Sequence, residues 1–319
     1  MKTLTTTLML ALCLSTLSTA TMADEVGSVT SPDGQNTLAI DRSDSGQLTY
    51  TVTRGTRTLV AASPLGLVAR EADLSAGLAL SAHSTRPINE QYALPTGKCA
   101  VYHNTCNELT LIFTKGSHTL ALQCRAYDDG VAFRYVVNGD EPLTVTADKA
   151  EVNLPSFERC WAQRYVTDYS QPYPARSWSD LQGVSDNTRK LCVPALVKST
   201  EGDDCWVLLT ESQGDAQFCA SALVAGDTTH PGCFSFALQD TPTVGPAFTT
   251  PWRTLYMGTL ATIVESNLND DLNPATSLTD TSWIQAGLSS WDWGGEDGQE
   301  RHDLNIVKDY IDMAHNMHW

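Results

Sequence analysis

The chain has 319 residues, 42% hydrophobic and 18% charged, which is enough for a sizeable core and more than one domain. Its 37 acids outnumber 20 bases, giving a formal net charge of −17. A field of that sign repels phosphate backbones, which argues against a nucleic-acid partner and suits neutral ligands or cations.

The N-terminus reads as a secretory signal. Lys2 precedes the apolar stretch "LTTTLMLALCLSTLSTATMA", and Asp24-Glu25 follows it. A positive start, a short apolar core and small residues near a cut are the marks of an exported leader, with cleavage after Ala23 or after Ala20. The core is too short to span a bilayer, and no later stretch looks transmembrane. The expected location is secreted or periplasmic. After Cys13 the cysteines are Cys99, Cys106, Cys124, Cys160, Cys192, Cys205, Cys219 and Cys233, with no CxxC among them. Cys124 and Cys219 lie in apolar strand patterns and read as either buried thiols or bridge members, while Cys99 and Cys106 flank a turn region and are the favoured local bridge.

From about Val29 to Met257 the pattern is mostly strand. In "GQLTYTVTRGTRTLV", Leu48, Tyr50 and Val52 share a face and the chain turns near Gly55. In "HTLALQCRAYDDGVAFRYVV", Leu120, Leu122, Cys124 and Ala126 line one side. Asp128-Asp129-Gly130 makes the turn, and Val131, Phe133 and Tyr135 resume the apolar face. "VPALVKSTEGDDCWVLLTE" is a further pair of strands, and "CFSFALQD" alternates Phe234, Phe236 and Leu238. Many short strands with turns between them predict a large antiparallel sandwich.

The texture changes after Met257. "TLATIVESNLNDDLNP" predicts a short helix and a polar loop closing at Pro274. One short strand is expected over Ser289–Trp293, then a Gly- and acid-rich loop, then a helix from about Leu304 capped by Asp303. Val307, Tyr310, Ile311, Ala314 and Met317 fall on one face of that helix. Strand, loop and amphipathic helix make the first unit of an α/β fold, and one such unit cannot bury both of its apolar faces alone.

Several phrases, in this order, resemble glycoside hydrolase family 97: "SPDG" at Ser31, "ASPLGL" at Ala62, "NELTLIF" at Asn107 and "CRAYDDGVAFRY" at Cys124. They continue with "TPWRTLYMG" at Thr250, "SWIQAG" at Ser282 and "SSWDWG" at Ser289. The resemblance covers nearly all of the chain beyond the leader. It implies a mainly β fold: a large antiparallel β-super-sandwich of the mutarotase-like type, followed by an incomplete start of a (β/α)8 barrel. The expected domains are a signal peptide over 1–23, the sandwich over 24–275, and a linker with the first βα unit over 276–319. The implied activity is that of a secreted, calcium-dependent α-glucosidase or α-galactosidase whose partner is an oligosaccharide or α-glycoside.

Glycoside hydrolysis needs two carboxyl groups across the scissile bond. The resemblance places both on later barrel strands, so no catalytic residue is assigned here and the chain is expected to be catalytically incomplete. It also implies that the Glu ending "CWVLLTE", Glu211, is a calcium ligand; the bland alternative is a solvated Glu at a strand end. Trp291 and Asp292 are expected either near the sugar at the barrel mouth or as barrel packing. Arg125 and Arg134 are expected to face each other across the hairpin and to pair with acids in a structural role, and Trp252-Arg253 to seat the sandwich on the barrel. The competing function is a stand-alone carbohydrate-binding sandwich without hydrolytic activity. A mutarotase-like epimerase would need a His acid and a Glu base in one cleft, and the scattered histidines offer no such pair.

Overall fold

The computed structural model of the chain describes residues 23–166, 171–182, 189–200, 204–215, 217–226, 231–291 and 304–319. Residues 1–22, Asp292, Trp293 and Asp303 lie outside them. Two compact units are present: residues 23–88 with 105–272, and residues 89–104 with 273–319.

Alternating burial builds the strands. They begin with β1 (Ala23–Thr30), β2 (Asn36–Ser43), β3 (Leu48–Arg54), β4 (Arg57–Leu65), β5 (Leu67–Ala69) and β6 (Asp73–Leu74). Next come β7 (Ala79–Tyr92), β8 (Tyr102–Lys115), β9 (His118–Tyr127), β10 (Gly130–Asn138), β11 (Leu143–Asp148), β12 (Glu151–Asn153), β13 (Arg159–Trp161) and β14 (Ala175–Arg176). After helix α1 (Trp178–Leu181) follow β15 (Lys190–Leu191), β16 (Ala195–Lys198), β17 (Trp206–Ser212), β18 (Ser221–Ala225), β19 (Cys233–Leu238), β20 (Thr243–Val244), β21 (Ala247–Thr249) and β22 (Trp252–Gly258). Helices α2 (Leu260–Glu265), α3 (Leu268–Asp271) and α4 (Leu304–Asn316) close the chain.

The described strands form three antiparallel sheets. The larger two run β1-β2-β3-β4-β12-β19-β18-β15 and β14-β13-β16-β17-β22-β10-β9-β8-β7, with β21 alongside β10; the third runs β20-β11-β5-β6. Leu38, Ile40, Tyr50 and Val52 of the first sheet share one buried cluster with Leu111, Leu122, Phe133 and Tyr135 of the second. Tyr50 and Phe133 meet with ring centroids 5.0 Å apart, so these two sheets stack face to face as the expected antiparallel sandwich.

The expected hairpin forms with Tyr127 opposite Gly130, so the turn is Asp128-Asp129 and Gly130 opens β10. Glycine is required there by crowding: an added Cβ would lie 2.4 Å from the Leu255 carbonyl oxygen. Every residue of β22 is buried, because both faces of this central strand are covered. Arg253, Leu255 and Met257 face the sandwich interior. Trp252 and Tyr256 face outward into a second cluster with Tyr127, Ile263, Leu268 and Leu272.

Several sequence expectations need correction. The polar loop expected before Pro274 contains the helical turn α3, because Leu268 and Leu272 are apolar anchors that bury themselves. Ser289, Ser290 and Trp291 do not form the expected strand. A strand exists through its ladder of hydrogen bonds, and no described segment pairs with these residues. The cysteines after the leader are thiols, so the expected Cys99–Cys106 bridge is not made. Burial pushes the Cys106 and Cys160 thiols up to about 11 and about 12.

In the second unit, Tyr92 and Tyr102 stack with centroids 4.9 Å apart, and Asn104 Nδ2 donates to Glu90 Oε2 at 3.3 Å. Helix α4 forms where the periodicity places it. None of its residues is buried, and Ile311 and Met317 are more than half exposed.

Candidate functional site

Glu211 stands near the end of β17, as the sequence places it, directly opposite Arg253 of β22. Arg253 Nη1 lies 2.5 Å from Glu211 Oε2, and Glu211 Oε1 accepts the Ser221 backbone N–H at 2.9 Å. The other side of the guanidinium is held by Asp148 at the end of β11. Arg253 Nε and Nη2 donate to Asp148 Oδ2 at 3.1 and 2.8 Å, and Asp148 Oδ1 accepts the Ala150 N–H. The guanidinium also lies over the Phe236 ring of β19, 4.6 Å from its centroid. One arginine thus ties all three sheets together from inside the sandwich.

Arg253 is 1% exposed, and burial alone would lower its pKa. Asp148 and Glu211 outweigh that burial and hold its pKa above the usual arginine value. The expectation that Trp252-Arg253 seats the sandwich on a further domain is therefore corrected for Arg253: its charge is spent within the sandwich. Sequence reasoning missed this because Asp148 lies 105 positions away. A usable signal was present, since a charged residue in an otherwise apolar central strand must be paired if it is buried.

Glu211 is already engaged on both oxygens, so calcium would have to share it with Arg253 and Ser221. Each of its oxygens already accepts a hydrogen bond, one from a cation that would repel a second cation. Calcium takes six to eight oxygens, and no group of three or more His, Cys, Asp or Glu side chains among the described residues is arranged to hold a metal.

On the outward face of the same sheet, Trp252 is fully buried and carries two guanidiniums, Arg134 at 4.3 Å and Arg125 at 4.9 Å from the ring centroid. Arg125 meets an acid as expected, through Nε to Glu108 Oε2 at 2.8 Å, and Arg86 takes Glu108 Oε1 at 2.7 Å. Arg134 departs from the expectation and meets two amides: its Nε donates to Gln123 Oε1 at 2.7 Å and its Nη1 to Gln213 Oε1 at 2.6 Å. Burial and the neighbouring Arg125 push Arg134 down to about 10. Gln213 also accepts from Trp252 Nε1 at 3.1 Å and has a left-handed backbone, φ 57°. Of the candidate sugar contacts, Trp291 belongs to the second unit and is 75% exposed, and Asp292 lies outside the described residues.

The family "Glycosyl-hydrolase 97 N-terminal" matches residues 29–274. The chain is 33% identical to a protein of Streptomyces bingchenggensis named probable retaining alpha-galactosidase, over 97% of this chain and 48% of that one. It is 24% identical to a retaining alpha-galactosidase of Bacteroides thetaiotaomicron, over 98% of this chain and 51% of that protein. The chain therefore spans about half the length of the curated relatives it matches. A glycoside hydrolase family 97 enzyme from Pseudoalteromonas sp. strain K8, solved with acarbose, superposes with a TM-score of 0.75 at 23% identity, over 90% of this chain and 45% of that one. The fold, the order of the motifs and the span of these matches agree: the chain belongs to glycoside hydrolase family 97 and carries its N-terminal sandwich.

Proposed function

We propose that the chain is the N-terminal portion of a secreted glycoside hydrolase acting on α-galactosides. The observation that carries this reading is the 33% identity along 97% of the chain to a protein named probable retaining alpha-galactosidase. On this reading the sandwich supports the reaction and does not perform it. Hydrolysis with retention needs one carboxyl group as acid and a second as nucleophile on opposite sides of the bond. The carboxylates inside this sandwich are committed elsewhere: buried Asp148 and partly buried Glu211 to Arg253, and buried Glu108 to Arg86 and Arg125. The test is release of nitrophenol from aryl α-galactoside and aryl α-glucoside by the purified chain. None is expected. In a longer form of the enzyme, the galactoside is expected to be cleaved faster than the glucoside.

Any calcium dependence would rest on oxygen ligands additional to Glu211. The purified chain is then expected to bind calcium no better than millimolar. Micromolar binding in a calorimetric titration, lost in Glu211→Gln, would return the ion to this sandwich.

The second reading is a stand-alone carbohydrate-binding sandwich. It is favoured by the superposition on a family 97 enzyme solved with acarbose, a likeness confined to the fold. Titration of the purified chain with α-linked galactosides and glucosides separates the two readings: saturable binding that survives Glu211→Ala supports a sugar site of its own.

A further inference from the structure

The outward face of the ten-stranded sheet holds a cation without an anion. Gln123 of β9 stands opposite Arg134 of β10, and Trp252 of β22 stands opposite Ser212 of β17. A guanidinium carries five N–H donors. Arg134 gives Nε to Gln123 and Nη1 to Gln213. The nearby acid is spent, since both oxygens of Glu108 are taken by Arg86 and Arg125. Among the described residues no carboxylate pairs with Arg134. Both glutamines present their oxygens to Arg134, which leaves their Nε2 groups as further donors. Neither these two nitrogens nor Arg134 Nη2 donates to a described residue in the bonds above, and none is among the fully buried atoms lacking a partner, so all three keep some exposure.

The arrangement is held at a cost. Gln213 takes a left-handed backbone, which is strained for a residue with a side chain, and its oxygen fixes both Arg134 and Trp252. Strain of this kind persists where neighbours over-determine a position. Arg134 and Arg125 are also packed against one indole, like charge beside like charge.

We propose that Arg134, Gln123 and Gln213 form a receptor for a single carboxylate group. The carboxylate accepts from the open edge of the Arg134 guanidinium and from the two glutamine amides, a donor-only set that matches an acceptor-only ligand. A carboxylate can reach it from two sources, the side chain of an Asp or Glu on a polypeptide packed against this face, or a sugar acid. Trp252 gives no stacking platform to a sugar ring, because it is fully buried beneath the guanidiniums. The side-chain carboxylate is therefore the expected occupant.

The test is calorimetric titration of the whole chain at low salt with N-acetyl-aspartyl methylamide, with glucuronate and with methyl α-galactoside. Both carboxylates are expected to bind and the neutral sugar not to compete. Arg134→Gln should weaken both by roughly tenfold or more, the loss of one charge-assisted pair. Equal affinity for the two identifies a receptor for the carboxylate alone, whereas roughly tenfold tighter glucuronate assigns the site to sugar acids. A second variant guards against misfolding. Gln213→Glu places a carboxylate beside Arg134 from within and should raise Tm while abolishing binding of both ligands. Carboxylate binding unchanged in Arg134→Gln, no binding at roughly 50 mM ligand, or a lower Tm in Gln213→Glu would each overturn the proposal.

Discussion

Arg253 and Glu211 face each other across β22 and β17 with 2.5 Å between Nη1 and Oε2, inside the sandwich. Asp148 holds the same guanidinium from the other side at 2.8 Å. Such a knot is stable only while it is complete, because each ion is held away from water by its partners. Arg253→Met is expected to cost about 3–5 kcal/mol in equilibrium urea unfolding, since it leaves the buried Asp148 and the partly buried Glu211 uncompensated. Arg253→Lys should recover only part of this, because an ammonium cannot make the two-pronged contact with Asp148. A loss under about 1 kcal/mol in Arg253→Met would mean the carboxylates are solvated and not buried.

Glu108 supplies a pH dependence. Burial alone would raise its pKa, but hydrogen bonds and charge from Arg86 and Arg125 outweigh burial and hold it below the usual glutamate value. The folded pKa is depressed, so the stabilisation is present above the unfolded value of about 4.3 and is lost as pH falls through the folded value. Urea midpoints measured from pH 7 to pH 3 should fall on the acid side, and Glu108→Gln should lower the neutral plateau and flatten that fall. An acid limb as steep in the variant as in the parent would assign the effect to other carboxyls.

Gly130 tests the packing of the central strands. A Cβ there would meet Leu255 O at 2.4 Å and Leu268 Cδ1 at 2.6 Å, and the first of these is backbone that cannot move aside. Gly130→Ala should therefore destabilise by about 2 kcal/mol. Gly214 has no atom within 4 Å of the same position and its φ is not left-handed, so Gly214→Ala should be neutral or stabilising by about 0.5 kcal/mol. Thermal unfolding of the two variants beside the parent checks the contrast.

What could be read from the sequence follows from how local each feature is. The hairpin of β9 and β10 was legible because Leu120 to Tyr135 alternate cleanly and close on a two-residue turn. The sandwich followed from repeating that pattern. The ion knot was not legible, because Arg253, Glu211 and Asp148 come from three distant strands whose registers no local pattern fixes. Glu211 was found by the resemblance, but its carboxylate turned out to be tied to Arg253. Ser289 to Trp291 look like a strand by composition, yet a strand is made by its neighbours, and none of the described segments pairs there. Arg134 was expected to pair with an acid from its place across the hairpin from Arg125. Glu108 had already been claimed by Arg86 and Arg125, which only the cross-strand register reveals.

Export is tested at the N-terminus. If Lys2 and the apolar stretch after it form a leader, the protein recovered from outside the cytoplasm should begin at Asp24 or Thr21. Intact-mass measurement decides this, and a mature protein retaining Met1 would contradict export by this route.

On the proposed function, this sandwich supports α-galactoside hydrolysis without a reacting carboxyl of its own, since Asp148, Glu211 and Glu108 are bound to arginines. The most direct measurement is release of nitrophenol from 4-nitrophenyl α-galactoside by the purified 319-residue chain, with the α-glucoside in parallel. No release above buffer is expected from either substrate. Release from the galactoside that disappears in Glu211→Gln would contradict it, because a reacting carboxyl would then lie in the knot with Arg253.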